Sequence, residues 1–492
     1  MNSSNVPKTG NMKKTLLLAA ACGLYSFSLI AQTPCEGNLA GDYPCNEISL
    51  MSEFFFPQVG GEENGNDCWG WTGPTGREYA LYGMANGTSF IEITDPVNPI
   101  YIGILETHSF NSLWRDIKVY ENHAFIVSEA AEHGMQVFDL MQLESAVDFP
   151  IIFEETAHYA GFGNAHNIAM NEESGYAYAI GTGTFNGGLH ILDVSDPVNP
   201  VIAGAFAEDG YTHDAQIIMY NGPDADYQGK EIAAAFNEDN VAIINVDDKS
   251  DCTLISSVSY DDYGYTHQGW FTEDHRYLLV DDELDEAFFG TNTRTFIYDC
   301  LDLDAPFYMG YFESALPVAD HNQYVKGTLM FQSNYLGGLR VLDLSNIAAG
   351  ELSEVAYFDT DPQSNGNGFN GTWSNYPYFE SGNIIVSTFS KMFVVRPSDE
   401  ILAMNIEQPE VISSFSLFPN PASNELTIRF DNLSPGTKET ISIINIEGKV
   451  VQNIHSSALP FGSITLDISG LSKGLYLVRF NESGISQRFI KG

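Results

Sequence analysis

The chain has 492 residues, a formal net charge of −44, and 44% hydrophobic and 13% aromatic residues. This apolar content argues against long disorder, and the length allows two or three domains or one large repeat domain with an appendage. The negative charge repels nucleic acid and anionic lipid, so neither is expected as a partner. The charge either keeps a secreted protein soluble or attracts cations.

Residues 1–31 have the pattern of an export signal. Two lysines precede the apolar run Leu16–Ile30, and cleavage is expected after Ala31. Met12, directly before the lysines, is an alternative start. No other stretch approaches the roughly 18 apolar residues that a membrane span needs, so the mature chain is expected to lack a transmembrane segment.

Cleavage would leave five cysteines in an oxidising compartment, where disulfides form: Cys35, Cys45, Cys68, Cys252 and Cys300. An odd number allows at most two disulfides. The expected pairs are Cys252–Cys300 and one pair among the first three. None of the five has the CxxC spacing of a zinc–thiolate site.

A repeated unit dominates the middle of the chain. A Trp or His opens an apolar strand and further strands follow, and the seven openers lie 45 to 54 residues apart: Trp69, Trp114, His166, His213, His267, His321 and Trp373. Periods in this range indicate a repeat architecture. The unit opened by His166 contains four short strands joined by Gly, Pro, Asn and Asp turns, which is typical of one β-propeller blade.

Third strands of the repeat end in a recurring aspartate, at Asp139, Asp193, Asp299 and Asp343. An Asp side chain that accepts a hydrogen bond from the backbone two residues later starts a turn, and this explains the column without any site. The turn sequence DPVNP also occurs twice unchanged, at 95–99 and 196–200.

The last unit, opened by Trp373, has only three strands, whereas the segment Ile48–Phe56 precedes the first full unit. A ring has no free edge only when its first and last blades are joined. The sequence therefore predicts an all-β fold with a seven-bladed β-propeller over residues 42–397, closed by strand 48–56.

Residues 398–414 form a predicted acidic linker, and a new pattern of alternating apolar strands begins at residue 415. About 80 residues of this kind, 415–492, predict a small Ig-like β-sandwich. The net charge is −48 over residues 32–410 but +1 from residue 411 to the end, which favours a separate role for this module.

The repeats resemble LVIVD-type repeats. The resemblance depends on the string WRDIKVYENHAFIVSEAAEHGMQVFDL from Trp114, on both DPVNP turns and on the His-Asn/Asp openers. Their arrangement behind a signal peptide is similar to the choice-of-anchor B family of secreted bacterial proteins. This resemblance implies a fold and a location, but no established reaction.

The C-terminal module resembles the type A sorting domain of the type IX secretion system of Bacteroidetes. The matching residues are Pro419, Asn420, Pro421, Gly448, Gly474, Tyr476 and the closing Phe489–Lys491. The resemblance implies export across the outer membrane by the type IX machinery. It also implies that the propeller is either attached to cell-surface lipopolysaccharide or released from the cell. Whether the C-terminal module is removed by cleavage stays open. An ordinary Ig-like adhesion module is the alternative.

Four successive openers are histidines on adjacent predicted blades: His166, His213, His267 and His321. The first strand of a blade is innermost, so these side chains are expected in one arc at a mouth of the channel, with three Trp openers completing the ring. Neutral imidazoles bind divalent transition metals such as Zn²⁺, and carboxylates orient them, here Asp116, Asp214 and Asp320. The alternatives are one structural hydrogen bond repeated in each blade, an anionic-ligand site, or acid–base catalysis.

Two acidic segments, Asp281–Glu286 and Asp224–Tyr227, could bind Ca²⁺ through carboxylate oxygens, but neither has the spacing of a known calcium loop. Solvated acidic turns are the competing interpretation. A Gly/Asn-rich loop from Asn365 is either a lid at the opener mouth or a simple loop. His108 and His190 are expected to pack or to face water.

The leading functional hypothesis is a secreted or cell-surface binding propeller exported by type IX secretion, with an unknown extracellular ligand. The alternative is a metal-dependent extracellular hydrolase or other enzyme built on the histidine arc. A glycan-binding surface accessory is a third hypothesis, suggested by Tyr and Trp residues. The sequence contains no GxSxG or P-loop motif, and whether the chain is an enzyme stays open.

Overall fold

The computed structural model describes residues 32–404, 415–430, 439–446, 449–456, 463–480 and 486–492. The predicted export signal and most of the predicted linker lie outside these residues. The chain is 51% strand and 6% helix, which confirms the all-β prediction.

Between residues 32 and 404 the strands form seven sheets, which we number 1 to 7 in the order of the sequence repeats that form them; the first strand of a sheet is the first strand of its repeat. Pairing within a sheet is antiparallel, except for one parallel strand at the edge of sheet 1. Sheet 1 contains Gly65–Thr72, Glu78–Met84, Gly87–Glu92, Ile100–Glu106 and the parallel strand Ile151–Phe153. Sheet 2 contains Arg115–Tyr120, His123–Ser128, Met135–Asp139 and Ala157–Tyr159. Sheet 3 contains Asn167–Asn171, Tyr176–Ile180, Leu189–Asp193 and Val201–Phe206.

Sheets 4 and 5 have four strands each, whereas sheet 6 has two additional short strands from the start of the chain. Sheet 4 contains Asp214–Met219, Glu231–Phe236, Val241–Asn245 and Thr253–Val258. Sheet 5 contains Thr266–Phe271, Tyr277–Asp282, Arg294–Asp299 and Phe307–Glu313. Sheet 6 contains Gln323–Lys326, Leu329–Asn334, Gly338–Asp343, Ser353–Phe358, Tyr43–Asn46 and Leu39–Ala40. Sheet 7 contains Thr372–Tyr376, Ile384–Thr388, Lys391–Pro397 and Ile48–Phe55.

The first strands of the sheets contact one another in cyclic order, from sheet 1 to sheet 7 and back to sheet 1. They are therefore the innermost strands of a propeller-like ring. Because each sheet packs between two others, both of its faces are covered, and the second and third strands are buried almost throughout.

Sheet 7 takes its outer strand from the beginning of the chain. Ile48–Phe55 pairs antiparallel with Lys391–Pro397, so the last repeat has no open edge on this side. An ion pair of 2.9 Å between Glu53 Oε2 and Lys391 Nζ lies at this junction. The disulfide Cys35–Cys45 links the segment before the strand to the short strand Tyr43–Asn46.

The predicted disulfide Cys252–Cys300 is wrong, because both residues are free thiols. Cys252 packs against the core between sheets 3 and 4, and Cys300 lies in the core between sheets 4 and 5. These cores cover opposite faces of sheet 4, so the two sulfur atoms cannot meet. The remaining free cysteine of the described residues is the buried Cys68.

The repeat in sequence is also a repeat in backbone geometry. The pairing of the third strand with its outer neighbour shifts register at equivalent positions in six sheets: at Phe90/Ile91, Ile191/Leu192, Ile243/Ile244, Ile297/Tyr298, Val341/Leu342 and Val394/Val395. The turn role of the recurring aspartates is confirmed, since each accepts a backbone N–H two residues later: Asp139, Asp193, Asp299 and Asp343.

Short helices lie between or after the strands of the ring: Phe56–Val59, Met141–Glu144, Phe185–Gly187, Asp285–Phe289, Ile347–Ala349 and, after the last strand, Asp399–Met404. The last of them begins the predicted linker, yet Ile401 is buried in the core shared by sheets 6 and 7. Thr328 Oγ1 donates a 2.8 Å hydrogen bond to the carbonyl of Met404. Residues 399–404 therefore pack on the ring rather than forming an exposed linker.

The C-terminal module contains two antiparallel sheets with a common core. Ile428 of the three-stranded sheet and Val478 of the four-stranded sheet are both fully buried in it. The strands of the first sheet are Phe415–Phe418, Glu425–Phe430 and Ser463–Asp467, and those of the second are Val450–Ser456, Glu439–Asn445, Gly474–Phe480 and Ser486–Lys491.

Candidate functional site

The four opener histidines lie together in one arc at the inner end of sheets 3 to 6. The ring centroids of neighbours are 4.3 Å apart for His166 and His213, and 4.4 Å for His213 and His267. His267 and His321 are 4.4 Å apart, and Trp373 of sheet 7 continues the arc at 4.9 Å from His321. We call these four imidazoles the histidine arc.

Three of these rings are held through Nδ1. His213 Nδ1 hydrogen bonds to the backbone carbonyl of His267 at 3.2 Å, and His321 Nδ1 to that of Trp373 at 2.6 Å. The same bond to the next blade thus occurs twice, which agrees with a structural role for these two rings. His166 Nδ1 instead meets Glu129 Oε1 at 2.6 Å.

His267 is the exception in the arc. Its side chain is 1% exposed, its Nδ1 lies 3.3 Å from Asp281 Oδ1, and neither ring nitrogen makes a hydrogen bond within the described residues. Burial lowers the pKa of His267 and of His213 well below the usual value, and that of His321 to about 3. These three imidazoles are therefore neutral at physiological pH.

The three predicted orienting aspartates make other contacts. Oδ1 of Asp116 and of Asp214 accepts the N–H of the following residue, at 2.7 and 2.6 Å. Asp320 Oδ2 accepts from Gln332 Nε2 at 3.4 Å, and its Oδ1 has no partner in the described part of the chain. Across those residues, no hydrogen bond joins any of the three carboxylates to an arc imidazole.

Trp69 does not complete the ring of openers. Sheets 1 and 5 shift register at the same place, between Gly65 and Cys68 and between Thr266 and Gly269. Trp69 is therefore equivalent to Trp270 rather than to His267, and both Trp residues lie towards the other end of the channel. The arc position in sheet 1 is occupied by Asn66, followed by Asp67, which caps the next N–H as Asp214 does. The Asn66–Asp67 pair resembles the His-Asn/Asp pairs of the other openers. This resemblance is the signal in the sequence that marks the arc position of sheet 1.

A cavity of about 450 Å³ opens above the arc, and we call it the histidine mouth. The phenol of Tyr335 donates a 2.5 Å hydrogen bond to Glu283 Oε1 in its wall. Phe369, from the predicted Gly/Asn loop, packs on Tyr335 at 5.4 Å, so this loop lines the cavity. Other lining residues are Trp114, Glu129, His166, Tyr211, His213, Tyr265 and Trp373.

Beyond the arc the channel holds a small cavity of about 20 Å³, which has room for one water molecule or ion. This cavity borders a cluster of buried charged side chains. Lys118 Nζ lies 2.7 Å from Asp116 Oδ1 and 3.9 Å from Asp67 Oδ2. Burial raises the pKa of Asp67 well above its usual value, and the adjacent Asp116 adds to the rise. Burial also acts to raise the pKa of Asp116, but the charge of Lys118 and the hydrogen bonds to the carboxylate outweigh it and hold the pKa of Asp116 below its usual range. Burial raises the pKa of Asp214 to about 7.

The opposite end of the channel opens into a second cavity, of about 480 Å³, which we call the aromatic cavity. Five aromatic side chains from four sheets line it: Trp69, Trp270, Tyr324, Tyr376 and Tyr378. Lys118 Nζ reaches its floor and lies 4.6 Å from the centroid of the Trp69 ring. Glu172 and Glu273 stand at its rim, exposed to solvent.

The interpretation of Asp281–Glu286 as a solvated acidic turn is wrong. Asp281, Asp282, Asp285 and Glu286 are at most 2% exposed, because this connection folds inwards in sheet 5. Asp282 accepts hydrogen bonds from the Tyr260 phenol and from four backbone N–H groups, and Asp285 Oδ2 pairs with Arg294 Nε at 2.6 Å.

Glu286 makes stability depend on pH. Burial raises its pKa to about 10, with Asp285 adding to the rise. A carboxyl whose folded pKa exceeds its unfolded value stabilises fully below the unfolded value, and that stabilisation is lost as the pH rises towards the folded pKa. We therefore expect Glu286→Gln to increase the free energy of unfolding at pH 8 by about 1–3 kcal/mol, with little change near pH 4.5.

Denaturant unfolding at the two pH values measures this effect. Glu351→Gln, at an exposed position, is the matched control and should stay within about 0.5 kcal/mol of the wild type at both. A Glu286→Gln variant that is no more stable than the wild type at pH 8 would contradict the assignment of a buried, protonated carboxyl.

The second acidic segment, Asp224–Tyr227, lies between two strands of sheet 4 and forms hydrogen bonds to the neighbouring sheet 5. Asp224 Oδ2 accepts the N–H of Leu303 at 2.9 Å, and the Tyr227 phenol donates to Asp304 at 3.1 Å. With Asp302 and Asp304, Asp224 forms a group of carboxylates within 4.8 Å of one another. Two of these three residues are solvent-exposed, and the hydrogen bonds account for the segment as a surface connection.

One histidine group was not anticipated. His108, Glu155 and His158 place ligand-type atoms within 4.8 Å of one another at the outer edge of sheets 1 and 2. The imidazoles of His108 and His158 stack at 3.6 Å, and His108 Nδ1 lies 3.0 Å from Glu155 Oε1. These residues come from connections and edge strands of different repeats, so no spacing in the sequence links them.

Comparisons with known families identify two parts of the chain. Residues 162–208 match the family described as the LVIVD repeat, and residues 416–491 match the secretion system C-terminal sorting domain. The chain carries an LVIVD repeat and a type IX secretion sorting domain. It is therefore secreted or displayed at the cell surface, and its C-terminal domain interacts with the type IX machinery.

The chain is also similar to solved structures, at low identity. PorZ, described as an essential surface component of the type-IX secretion system of Porphyromonas gingivalis, matches 87% of this chain at 13% identity with a TM-score of 0.43. The match spans only 59% of PorZ. The Cps50 (Swd1) β-propeller domain of Myceliophteria thermophila matches 64% of this chain and 92% of its own, at 12% identity and a TM-score of 0.42.

A protein from Lactobacillus plantarum matches 78% of this chain and 96% of its own length, at 14% identity and a TM-score of 0.44. A comparison with curated proteins found no match. Among the helices of the described residues, none has the length and apolar character to cross a membrane.

Proposed function

We propose that this protein is a secreted or cell-surface binding propeller that holds a glycan in the aromatic cavity. In this proposal each of the seven sheets is one blade of a seven-bladed propeller spanning residues 42–397, and the C-terminal module is an Ig-like sandwich. Membership of the choice-of-anchor B family and attachment to cell-surface lipopolysaccharide belong to the same proposal.

The convergence of five aromatic rings on one cavity carries the proposal. Trp69 packs edge-to-face against Tyr324 and Tyr376, at 5.7 and 5.1 Å, and Trp270 packs in the same way against Tyr324, at 5.1 Å. The rings hold one another in fixed orientations and so present a preformed apolar wall. A volume of about 480 Å³ falls within the range of small-ligand sites, which are lined by aromatic side chains and a few polar groups.

The charges around this wall favour a ligand with hydroxyl donors. The charge of Lys118 is already satisfied by Asp116 and the face of Trp69, so it offers little to an anion. The other charges at this wall are the rim carboxylates of Glu172 and Glu273, whose oxygens accept hydrogen bonds. Glu273 Oε1 already accepts the N–H of Gly327 at 2.5 Å. A sugar ring has an apolar face for an aromatic side chain and hydroxyl groups for carboxylates, and an anionic ligand would be repelled.

A glycan array probed with the purified mature chain tests the proposal. We expect defined glycans to bind, and Trp270→Ala to weaken their binding at least tenfold, because a half-buried Trp in a pocket is a typical hot spot. Trp114→Ala, at the histidine mouth, is the matched control and should bind as the wild type does. Folded wild type that binds no glycan, or equal binding by Trp270→Ala, would overturn the proposal.

The enzymatic alternative has less support. The two matched families are described as a repeat and a sorting domain, and neither description names a reaction. A binding role needs only the preformed cavity, whereas a hydrolase needs reacting groups that converge on a substrate.

A further inference from the structure

Three side chains at the boundary between the histidine mouth and the narrow part of the channel bring ligand-type atoms within 4.8 Å of one another: His267, Glu283 and His321. Both histidines line the narrow part of the channel, and Glu283 lies in the wall of the cavity above it. The group therefore lies at the floor of the cavity, with about 450 Å³ of open space on one side.

Each member of this group is oriented by a further contact. His321 Nδ1 bonds to the Trp373 carbonyl at 2.6 Å, and Glu283 Oε1 accepts from the Tyr335 phenol at 2.5 Å. Histidines that bind metals usually hold their second nitrogen against a carbonyl or carboxylate in this way, which fixes the tautomer and the ring orientation.

His267 gives an independent indication of a missing partner. It is 1% exposed, and neither of its nitrogens is hydrogen bonded within residues 32–404, although buried polar groups are nearly always satisfied. Its Nδ1 faces Asp281 Oδ1 at 3.3 Å, the position of an orienting carboxylate. The other nitrogen then remains for a ligand.

We propose that His267, His321 and Glu283 bind one divalent transition metal ion, of the zinc class, at the floor of the histidine mouth. Two imidazoles and a carboxylate are a donor set that Zn²⁺ uses, and three protein ligands leave a fourth position open. Glu283 lines the cavity, from which water or an oxygen atom of a bound molecule would complete the coordination.

This ligand set differs from the four histidines predicted from the sequence. His166 bonds to Glu129 through Nδ1, and no group of ligand atoms within 4.8 Å includes it or His213 among the described residues. Glu283 takes their place, so the site needs two blades rather than four. The proposal does not depend on glycan binding, because the aromatic cavity lies at the opposite end of the channel.

Metal titration of the purified, chelator-treated mature chain tests the site, with Zn²⁺ for stoichiometry and Co²⁺ for visible absorption. We expect one tightly bound Zn²⁺ per chain and a Co²⁺ spectrum that is displaced by Zn²⁺. Glu283→Gln should weaken Zn²⁺ binding at least 100-fold, while its amide oxygen still accepts the Tyr335 hydrogen bond and preserves the fold. His267→Gln and His321→Gln should abolish binding.

Two control variants locate the metal. His213→Gln, in the arc but outside the group, should bind Zn²⁺ as the wild type does, and so should His158→Gln at the outer edge of sheet 2. Folded wild type without stoichiometric Zn²⁺ would overturn the proposal. Unchanged affinity in folded Glu283→Gln, or loss of the metal in His158→Gln alone, would overturn it as well.

Discussion

Deletion of residues 33–56 is expected to abolish cooperative folding of the ring. The deletion removes the outer strand of sheet 7 and with it Ile48, Leu50, Met51 and Phe54, which are all at most 8% exposed. Burial of four such side chains contributes roughly 6–12 kcal/mol, which is comparable to the total stability of about 5–15 kcal/mol for a typical domain. It also leaves Lys391–Pro397 as an unpaired edge that favours aggregation.

Thermal unfolding of the mature chain, followed by circular dichroism, measures this effect. The control is Glu53→Gln in the same strand, which breaks a partly exposed ion pair with Lys391 and should cost less than about 1 kcal/mol. A synthetic peptide of residues 47–56, added in excess, should restore a cooperative transition to the deleted chain. A deleted chain that unfolds cooperatively near the wild-type temperature would show that the ring does not need this strand.

The repeating features were predictable because residues at equivalent positions of successive repeats have the same structural role. The aspartates at the ends of the third strands have the same turn role in four repeats, and the histidines lie in one arc because they occupy equivalent positions. The spacing of openers misplaced Trp69, because this residue is equivalent to Trp270 and lies three residues after Asn66, the arc position of sheet 1. The resulting spacing of 45 residues to Trp114 still suits the repeat, so the spacing does not reveal the difference.

The carboxylates were harder to predict because their environment comes from neighbouring sheets. Glu283 belongs to an acidic run that is typical of a solvated turn, yet Tyr335 of another sheet holds it in the cavity wall. Asp214 was expected to orient His213, but its carboxylate caps the next backbone N–H. Burial and partners of this kind depend on which blades are adjacent, and the periodic pattern carries no information about side-chain direction at those contacts.

Lys118→Met is expected to destabilise the ring by about 3–5 kcal/mol at pH 7, because it leaves the buried Asp116 carboxylate without its cation. Lys118 Nζ lies 2.7 Å from Asp116 and 3.9 Å from Asp67. Lys118 also opposes the burial that raises the pKa of Asp214. A side chain of similar length keeps the packing against Trp69, so the loss reports mainly on charge.

The pH dependence separates this charge effect from lost packing. Burial alone raises the pKa of Asp116, and Lys118 opposes this rise, so the pKa of the buried carboxyl is raised in Lys118→Met. A carboxyl with a raised folded pKa carries no penalty below its unfolded pKa and a growing one as the pH rises above it. The difference between Lys118→Met and the wild type should therefore shrink in acid. The double variant Lys118→Met/Asp116→Asn should recover much of the stability, since it removes the unpaired charge.

Denaturant unfolding at pH 7 and at pH 4 measures both effects, with Lys230→Met as the control. Lys230 stacks on Tyr227 at 5.0 Å near the surface, and its loss should cost less than about 1 kcal/mol at either pH. If Lys118→Met were equally destabilising at both pH values and in the double variant, the cluster would act through packing alone. The channel would then owe its stability to the aromatic wall rather than to the compensated charges beneath it.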